Sequence, residues 1–305
     1  MPKQTFPTYA NKCGWNAMLP PRIPRPALGT DLAVDYAVIG AGFTGLAIAR
    51  RLQELDPQAR IIVLEASTIG EGASARNSGF TSADVLPRTA TMAGAEKARR
   101  QTALIRGAFD WLTGTLRDYD IACDMQKVGS IRAAATEAGE ASLRSVIEVA
   151  RANGIAHSVL RRQEIAERTG SGYYRLGLFL NDTYLLQPAA LIRGLADALS
   201  ASVTLYENSP VRQIDRTAKG WELTTDGGTV RARCVALANN SFIPRLGYLK
   251  LRMATIFTYA AVTEALGKAD LGQLGTAPAW ELRPPGDCCL CTGWGPRRGA
   301  SGATG

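Results

Sequence analysis

"YAVIGAGFTGLAIARRLQELDPQARIIVLEASTIGEGASARNSG", residues 36–79, carries the features that decide the fold. Gly40, Gly42 and Gly45 follow an apolar run as G-x-G-x-x-G, and Glu65 closes a second apolar run about twenty residues further on. A second glycine-rich run then ends in Ala75-Arg76-Asn77-Ser78-Gly79. Upstream, "AVDYAVIG" is rich in valine and isoleucine and stops at Gly40, as a buried parallel strand does. From Phe43 to Leu55 the positions Leu46, Ala49, Leu52 and Leu55 recur at three-residue spacing before Pro57, which predicts a helix with one buried stripe. "RIIVLEA" predicts the second strand, and strand, helix and strand within about thirty residues compose a right-handed βαβ unit.

The chemistry follows from that placement. Glycines at a strand-to-helix junction admit close approach of a pyrophosphate, and the unpaired N–H groups of the helix start can bind it. The candidate contacts in this turn are Gly40, Gly42, Phe43, Thr44 and Gly45. Glu65, with Ala66 beside it, sits where a carboxylate can accept hydrogen bonds from both hydroxyls of an adenosine ribose and would repel a 2′-phosphate, so NADP is disfavoured.

Composition narrows the classes. The chain has 305 residues, 46% of them hydrophobic, enough for a real core in one large or two ordinary domains. No run of eighteen apolar residues occurs and the N-terminus lacks the pattern of a signal peptide, so a soluble, cytoplasmic protein without a membrane span is expected. The net charge of +8 is spread as pairs such as Arg99-Arg100 and Arg161-Arg162 among acidic residues, which argues against nucleic acid and for an anionic cofactor or substrate. His157 is the single histidine, which excludes a Ser-His-Asp triad or a multi-histidine metal site in all but name; an exposed loop or strand residue is expected there. Cys13, Cys123 and Cys234 are scattered, whereas Cys288, Cys289 and Cys291 crowd together without the C-x-x-C spacing or fourth ligand of a zinc site. No metal is expected.

Further along, "LPPRIPRPALGT" is an extended lead-in fixed by its prolines. Residues 92–118 read as one or two helices with Leu104, Ala108, Trp111, Leu112 and Leu116 available for a buried face. "KVGSIRAAA" reads as a strand, Glu137 to Ala152 as a polar-faced helix, and Gln187 to Leu199 as a helix opened by Pro188. Asp226-Gly227 between two alternating runs suits a hairpin with a primed turn.

"GEGASARNSG" resembles a segment carried at this same place by amino-acid and amine oxidoreductases of the D-amino-acid-oxidase type, on Gly70, Gly72, Ala73, Ser74, Arg76, Asn77 and Gly79. The lead-in "CGWNAMLPPR" resembles the Trp-x-x-x-Leu-Pro-x-Arg opening of the gamma-glutamylputrescine oxidase-like branch. "LLQPAALIRGLADAL" and "ENSPVRQID" are similar to the family's return helix and to the strand after it. "CVALANNSF" departs from the family pattern by placing Asn239 where a threonine is usual. The resemblance runs from about residue 8 to about residue 283, and the family continues well beyond that point. The end "PPGDCCLCTGWGPRRGASGATG" has no convincing counterpart and reads as an unstructured tail or a shifted reading frame.

The resemblance implies an α/β fold: a Rossmann-type FAD-binding domain plus an α+β substrate domain with a mostly antiparallel sheet, both discontinuous in sequence. The expected spans are a lead-in over 1–30, the FAD-binding domain over 31–120 and 185–247, an incomplete substrate domain over 121–184 and 248–283, and a disordered tail over 284–305. It also implies that Gly72, Ala73, Ser74, Arg76, Asn77, Ser78 and Gly79 lie along the FAD pyrophosphate and ribityl chain, and that Val211 presents its backbone to the adenine. The implied activity is oxidation of a small-molecule amine or amino acid by hydride transfer to flavin N5, giving an imine that hydrolyses. A truncated FAD-binding remnant without turnover and a nicotinamide-dependent dehydrogenase stand as alternatives, the second opposed by the run from Gly70 to Gly79. No catalytic residue is singled out: Tyr173, Tyr174, Tyr184 and Gln187 lie where the chain should approach the substrate domain, though aromatic residues there commonly serve packing. The specific substrate, the electron acceptor and the oligomeric state are left open by the sequence.

Overall fold

The computed structural model describes residues 6–83, 86, 92–256, 263–264, 266–277, 279–283 and 291–293. Its first elements are α1 (Gly14–Ala17), β1 (Leu32–Ile39), α2 (Phe43–Leu55), β2 (Ile61–Leu64), α3 (Ala73–Arg76), β3 (Phe80–Ser82) and α4 (Met92–Asp118). Next come β4 (Gln126–Lys127), β5 (Ser130–Ala134), α5 (Glu137–Ala152), β6 (His157–Arg161), α6 (Arg162–Thr169), β7 (Leu176–Leu180) and β8 (Thr183–Leu185). The remainder holds α7 (Pro188–Asp197), β9 (Val203–Tyr206), β10 (Gln213–Thr217), β11 (Gly220–Thr224), β12 (Thr229–Leu237), a 3-10 turn (Asn240–Leu246), α8 (Lys268–Leu271), β13 (Trp280–Arg283) and β14 (Cys291–Gly293).

Two compact units emerge. The first comprises Met1–Asn77, Tyr119–Cys123 and Pro188–Ala260; the second comprises Ser78–Asp118, Asp124–Gln187 and Ala261–Gly305. The first is built on a six-stranded sheet in the order β10-β11-β12-β1-β2-β9. Its β12, β1, β2 and β9 run parallel, whereas β10, β11 and β12 form an antiparallel meander. All four residues of β2 are buried, as expected of a parallel strand covered on both faces. Alternation sends Val38, Ile61 and Val63 to one core with Leu46 and Ala49 of α2 and Ile192 of α7. Ala37, Ile39, Ile62 and Leu64 go to the opposite core with Leu223 and Val230. Burial of Ile61 and Leu64 contributes about 1.5–3 kcal/mol apiece.

The second unit holds a five-stranded sheet in the order β14-β13-β5-β7-β6 and a small sheet in the order β3-β8-β4. The Thr136 hydroxyl caps α5 by accepting the N–H of Gly139 at 3.1 Å. That helix buries Leu143 and Ile147 against Leu176 and Leu178.

The structure revises several expectations. Residues 78–118 belong to the second unit rather than to the first, and the first-unit segment resumes at Pro188. The lead-in is not featureless, because Cys13 and Leu28 are buried and Gly14–Ala17 is helical. Residues 92–118 form one helix, but its expected buried face is wrong at Leu104, Ala108 and Trp111, which are exposed. "KVGSIRAAA" is two strands broken at Gly129, whose φ of 70° interrupts the ladder. The Asp226-Gly227 hairpin forms, with Thr225 N–H on the Gly228 carbonyl, yet neither central residue has the positive φ of a primed turn. Gly227 is required for a different reason: a Cβ there would lie 1.8 Å from the Leu28 carbonyl oxygen. His157 opens β6 and is half-buried. In the tail, Cys291–Gly293 pairs with β13 instead of being unstructured, and Cys288 and Cys289 lie outside the described residues.

Candidate functional site

The three glycines of the first turn are needed for three different steric reasons. Gly40 has a φ of 99°, and a Cβ there would meet the Ala238 carbonyl oxygen at 2.9 Å. At Gly45 a Cβ would lie 1.8 Å from the Gly40 oxygen, so the helix could not fold back onto the strand end. At Gly42 it would meet the Ser74 Oγ at 2.8 Å. Gly42 is the N-cap of α2 and has no side chain to cap with; the Ser74 Oγ accepts the Phe43 N–H at 3.0 Å instead. The second glycine-rich run thus caps the helix that the first begins. Gly72, just before it, faces open space.

Glu65 is drawn into the same place. Its Oε2 accepts the Ala41 N–H at 2.9 Å and its Oε1 accepts the Ser67 N–H at 3.0 Å, while its carbonyl accepts the Ser209 N–H at 2.8 Å. Val211, two residues beyond Ser209, is buried beside Ile62 and Leu64. The turn, Glu65, Ser74 and the approach to Val211 therefore meet at the carboxyl ends of β1 and β2. Ala66 is half-buried and Thr44 exposed beside them.

Arg76 is tied to its own run and to the lead-in. Its Nε donates to the Glu71 carbonyl at 2.7 Å, one terminal nitrogen donates to the Asn11 carbonyl at 2.7 Å, and its guanidinium lies 4.1 Å from the Tyr9 ring centroid. These contacts anchor the run itself. Asn77 closes its own turn by donating to the Ser74 carbonyl at 2.5 Å. Ser78 and Gly79 begin the second unit, where Gly79, with a φ of 81°, accepts the Leu186 N–H at 2.9 Å. Of the residues considered near the substrate domain, Tyr184 packs on Phe109 at 4.8 Å, Tyr173 packs edge-on against Tyr174, and Gln187 is buried.

Two positions with unusual surroundings were not singled out as site residues by the sequence. Asn239 follows β12 against Gly40, and both its Nδ2 and Oδ1 are buried without a hydrogen-bond partner. Two unsatisfied amide atoms cost about 1–3 kcal/mol each, a cost that a polar ligand in the turn would relieve. The departure from threonine was visible in sequence, but its burial was not. Glu207, after β9, is fully buried and receives Arg22, the Arg25 N–H and the Ile69 N–H. Burial alone would raise its carboxyl; the Arg22 guanidinium and the two N–H groups outweigh burial and hold it below the ordinary carboxylate range. The arginine of Leu-Pro-x-Arg was a visible signal, its partner was not.

A parallel sheet with a glycine turn between strand and helix, an acidic residue closing the next strand and orphaned amide atoms at the turn defines a dinucleotide-binding protein. Its donors and glycine cradle suit a diphosphate, and Glu65 suits a ribose. Residues 35–302 match the family model described as FAD dependent oxidoreductase, and the chain belongs to that family. It is 28% identical over 238 residues to a probable oxidoreductase OrdL of Rhizobium meliloti (strain 1021), covering 76% of this chain and 55% of that protein. It is also 28% identical over 228 residues to gamma-glutamylputrescine oxidoreductase of Escherichia coli (strain K12), covering 72% and 52%. Glycine oxidase from Geobacillus kaustophilus is similar in structure, with a TM-score of 0.60, 25% identity and coverage of 71% of this chain and 58% of that one. The chain spans about half the length of the curated relatives it matches. Among the described residues no helix is long and apolar enough to cross a membrane.

Proposed function

We propose that the chain binds FAD where the glycine turn, Glu65 and Ser74 meet, and oxidises an amine or amino acid. The observation that carries this reading is the joining of both glycine segments to one helix start through Ser74 and Phe43. In it, the turn of Gly40, Gly42, Phe43, Thr44 and Gly45 cradles the diphosphate, which receives N–H groups of the helix start other than the Phe43 N–H that Ser74 takes, with the Asn239 amide beside them. Glu65 and Ala66 receive the adenosine ribose, and Val211 the adenine through its backbone. Gly72, Ala73, Ser74, Asn77, Ser78 and Gly79 follow the diphosphate and ribityl chain, while Arg76 serves by holding that run in shape.

Bound FAD supplies a hydride acceptor at N5 for the carbon bearing the amine, and the resulting imine hydrolyses to a carbonyl product. The chain's residues hold and orient; no side chain is assigned a proton transfer. The amine class is supported by the relatives, one named for gamma-glutamylputrescine and one for glycine.

The test is the absorption spectrum of the purified protein, followed by heat release of the chromophore and anaerobic titration with amines and amino acids. A yellow protein that releases FAD and is bleached by an amine is expected. Release of FMN, or tighter binding of NAD than of FAD, overturns the cofactor assignment. Bound FAD that no amine reduces overturns the catalytic half alone.

A further inference from the structure

We propose that the first unit carries a second small-molecule site, for a free amino acid with an apolar side chain, in the pocket that α7, the segment Tyr119–Ala122 and Leu19-Pro20 of the lead-in enclose. The site does not rest on the FAD reading above. The pocket has a volume of about 400 Å³, and every residue that lines it belongs to the first unit. That volume lies within the range of about 300–1,000 Å³ in which small ligands are held. Close packing builds it: a Cβ on Gly194 would meet the Ile121 Cγ2 at 2.3 Å, so glycine at this point of α7 lets the segment lie against the helix. Within the segment Asp120 turns the chain with a φ of 48°, and the Arg50 guanidinium lies 4.5 Å from the Tyr119 ring centroid.

The charges on the wall select the ligand. Arg193 donates through one terminal nitrogen to the Pro20 carbonyl at 2.8 Å and through the other to the Asn16 carbonyl at 3.4 Å, while its Nε is buried without a partner. Among the described residues no carboxylate pairs with it, so two neutral carbonyls hold a full positive charge. Burial and the nearby Arg22 cation keep its basicity below the ordinary arginine value, outweighing the Glu71 and Asp197 carboxylates. A carboxylate entering the pocket supplies the missing counter-charge. Asp120 lines the same pocket, is exposed, and makes no side-chain hydrogen bond or ion pair among the described residues. Asp197, the other acid on the wall, is taken by Arg25 at 2.8 Å. The pocket thus presents an unpaired cation and an unpaired anion that do not pair with each other. A simple anion there meets Asp120 and a simple amine meets Arg193, whereas a molecule with both an ammonium and a carboxylate answers both. Leu19, Ile121 and Ala190 add hydrocarbon to the wall for an apolar side chain.

Isothermal titration calorimetry on the full chain, under anaerobic conditions, compares L-leucine and L-phenylalanine with isocaproate, which is leucine without its amine, and isoamylamine, which is leucine without its carboxylate. Both amino acids should bind, and isocaproate and isoamylamine should bind about tenfold more weakly than leucine. Arg193→Gln, whose amide can still donate to a carbonyl, and Ala122→Trp, which fills the pocket from an exposed position, should each lower leucine affinity about tenfold with ligand-free melting unchanged. Asp120→Asn should weaken leucine several-fold and leave isocaproate no weaker than in the parent. If Arg193→Gln melts lower, the exposed positions Asp120 and Ala122 decide alone. No binding of either amino acid overturns the site. Leucine affinity that these variants leave unchanged overturns it as well, because the amino acid then sits elsewhere, a catalytic site included. Isocaproate that binds as tightly as leucine overturns the amino-acid assignment. None of these arms needs bound flavin, so a failure of the FAD reading and a failure of this one are told apart.

Discussion

The Ser74 hydroxyl oxygen accepts the N–H of Phe43 at 3.0 Å, so the helix that starts at the first glycine turn is capped from the second glycine run, about thirty residues away in the chain. Ser74→Ala removes that cap without adding bulk. It is expected to cost about 1 kcal/mol of stability and to weaken FAD binding several-fold, because the two segments lose their register. Thermal melting with a flavin titration measures both. A variant that melts and binds as the parent does would show that the cap is ornamental.

Gly45 and Gly42 should respond differently to alanine. The Cβ of Gly45→Ala would lie 1.8 Å from backbone oxygen, which cannot move without opening the turn, whereas that of Gly42→Ala meets only the Ser74 hydroxyl at 2.8 Å, which can rotate away. Gly45→Ala is expected to abolish soluble folded protein, and Gly42→Ala to fold with weaker FAD binding. Gly42→Val, too large for the same adjustment, should bind least while keeping its strand and helix. Once Ser74 is alanine, Gly42→Ala should cost little more, since the atom it displaces is gone. Additive losses in that double variant, seen by melting and circular dichroism, would contradict the contact.

The βαβ unit was legible because its signals are local: apolar runs of strand length, a three-residue helical stripe and glycines at the junction, all within residues 32–65. The position of Glu65 at the close of the second strand was legible for the same reason, whereas Ser74 was singled out by resemblance. What the sequence hid depends on partners remote in the chain. Arg76 reads as a donor to phosphate, and its contacts with Asn11 and the Tyr9 ring have no mark in the sequence. Asn239 reads as a substitution until both atoms of its amide are seen buried without a partner. On the long helix 92–118, Leu104, Ala108 and Trp111 follow a helical spacing that says where a face lies, not whether anything covers it.

Glu65→Gln tests the carboxylate directly. Both carboxylate oxygens now accept backbone N–H groups, and an amide must turn its NH₂ toward the Ala41 or the Ser67 N–H. The expected loss is about 1–2 kcal/mol in stability, with a comparable loss in FAD affinity if the ribose shares the same oxygens. Melting without flavin separates the first effect from the second. FAD affinity that falls no further than stability does would remove Glu65 from the ribose contact.

Glu207 should give the fold an acid-sensitive anchor. Because its folded-state carboxyl is held below the ordinary value of 4.5, its charged form stabilises the folded chain above that value, and the stabilisation is lost as pH falls through the folded value. Its contribution is therefore level from neutrality down to about pH 5 and declines below that. Glu207→Gln removes the charge, leaves Arg22 without its carboxylate, and is expected to cost about 3 kcal/mol at neutral pH. Melting temperatures measured from pH 7 to pH 3 should start lower in the variant and fall less steeply than in the parent, so that the two curves converge in acid. Adding Arg22→Gln to Glu207→Gln should recover part of the loss, since the partly buried cation is then gone as well. Parallel curves for the parent and the single variant would mean that Glu207 is not the titrating anchor.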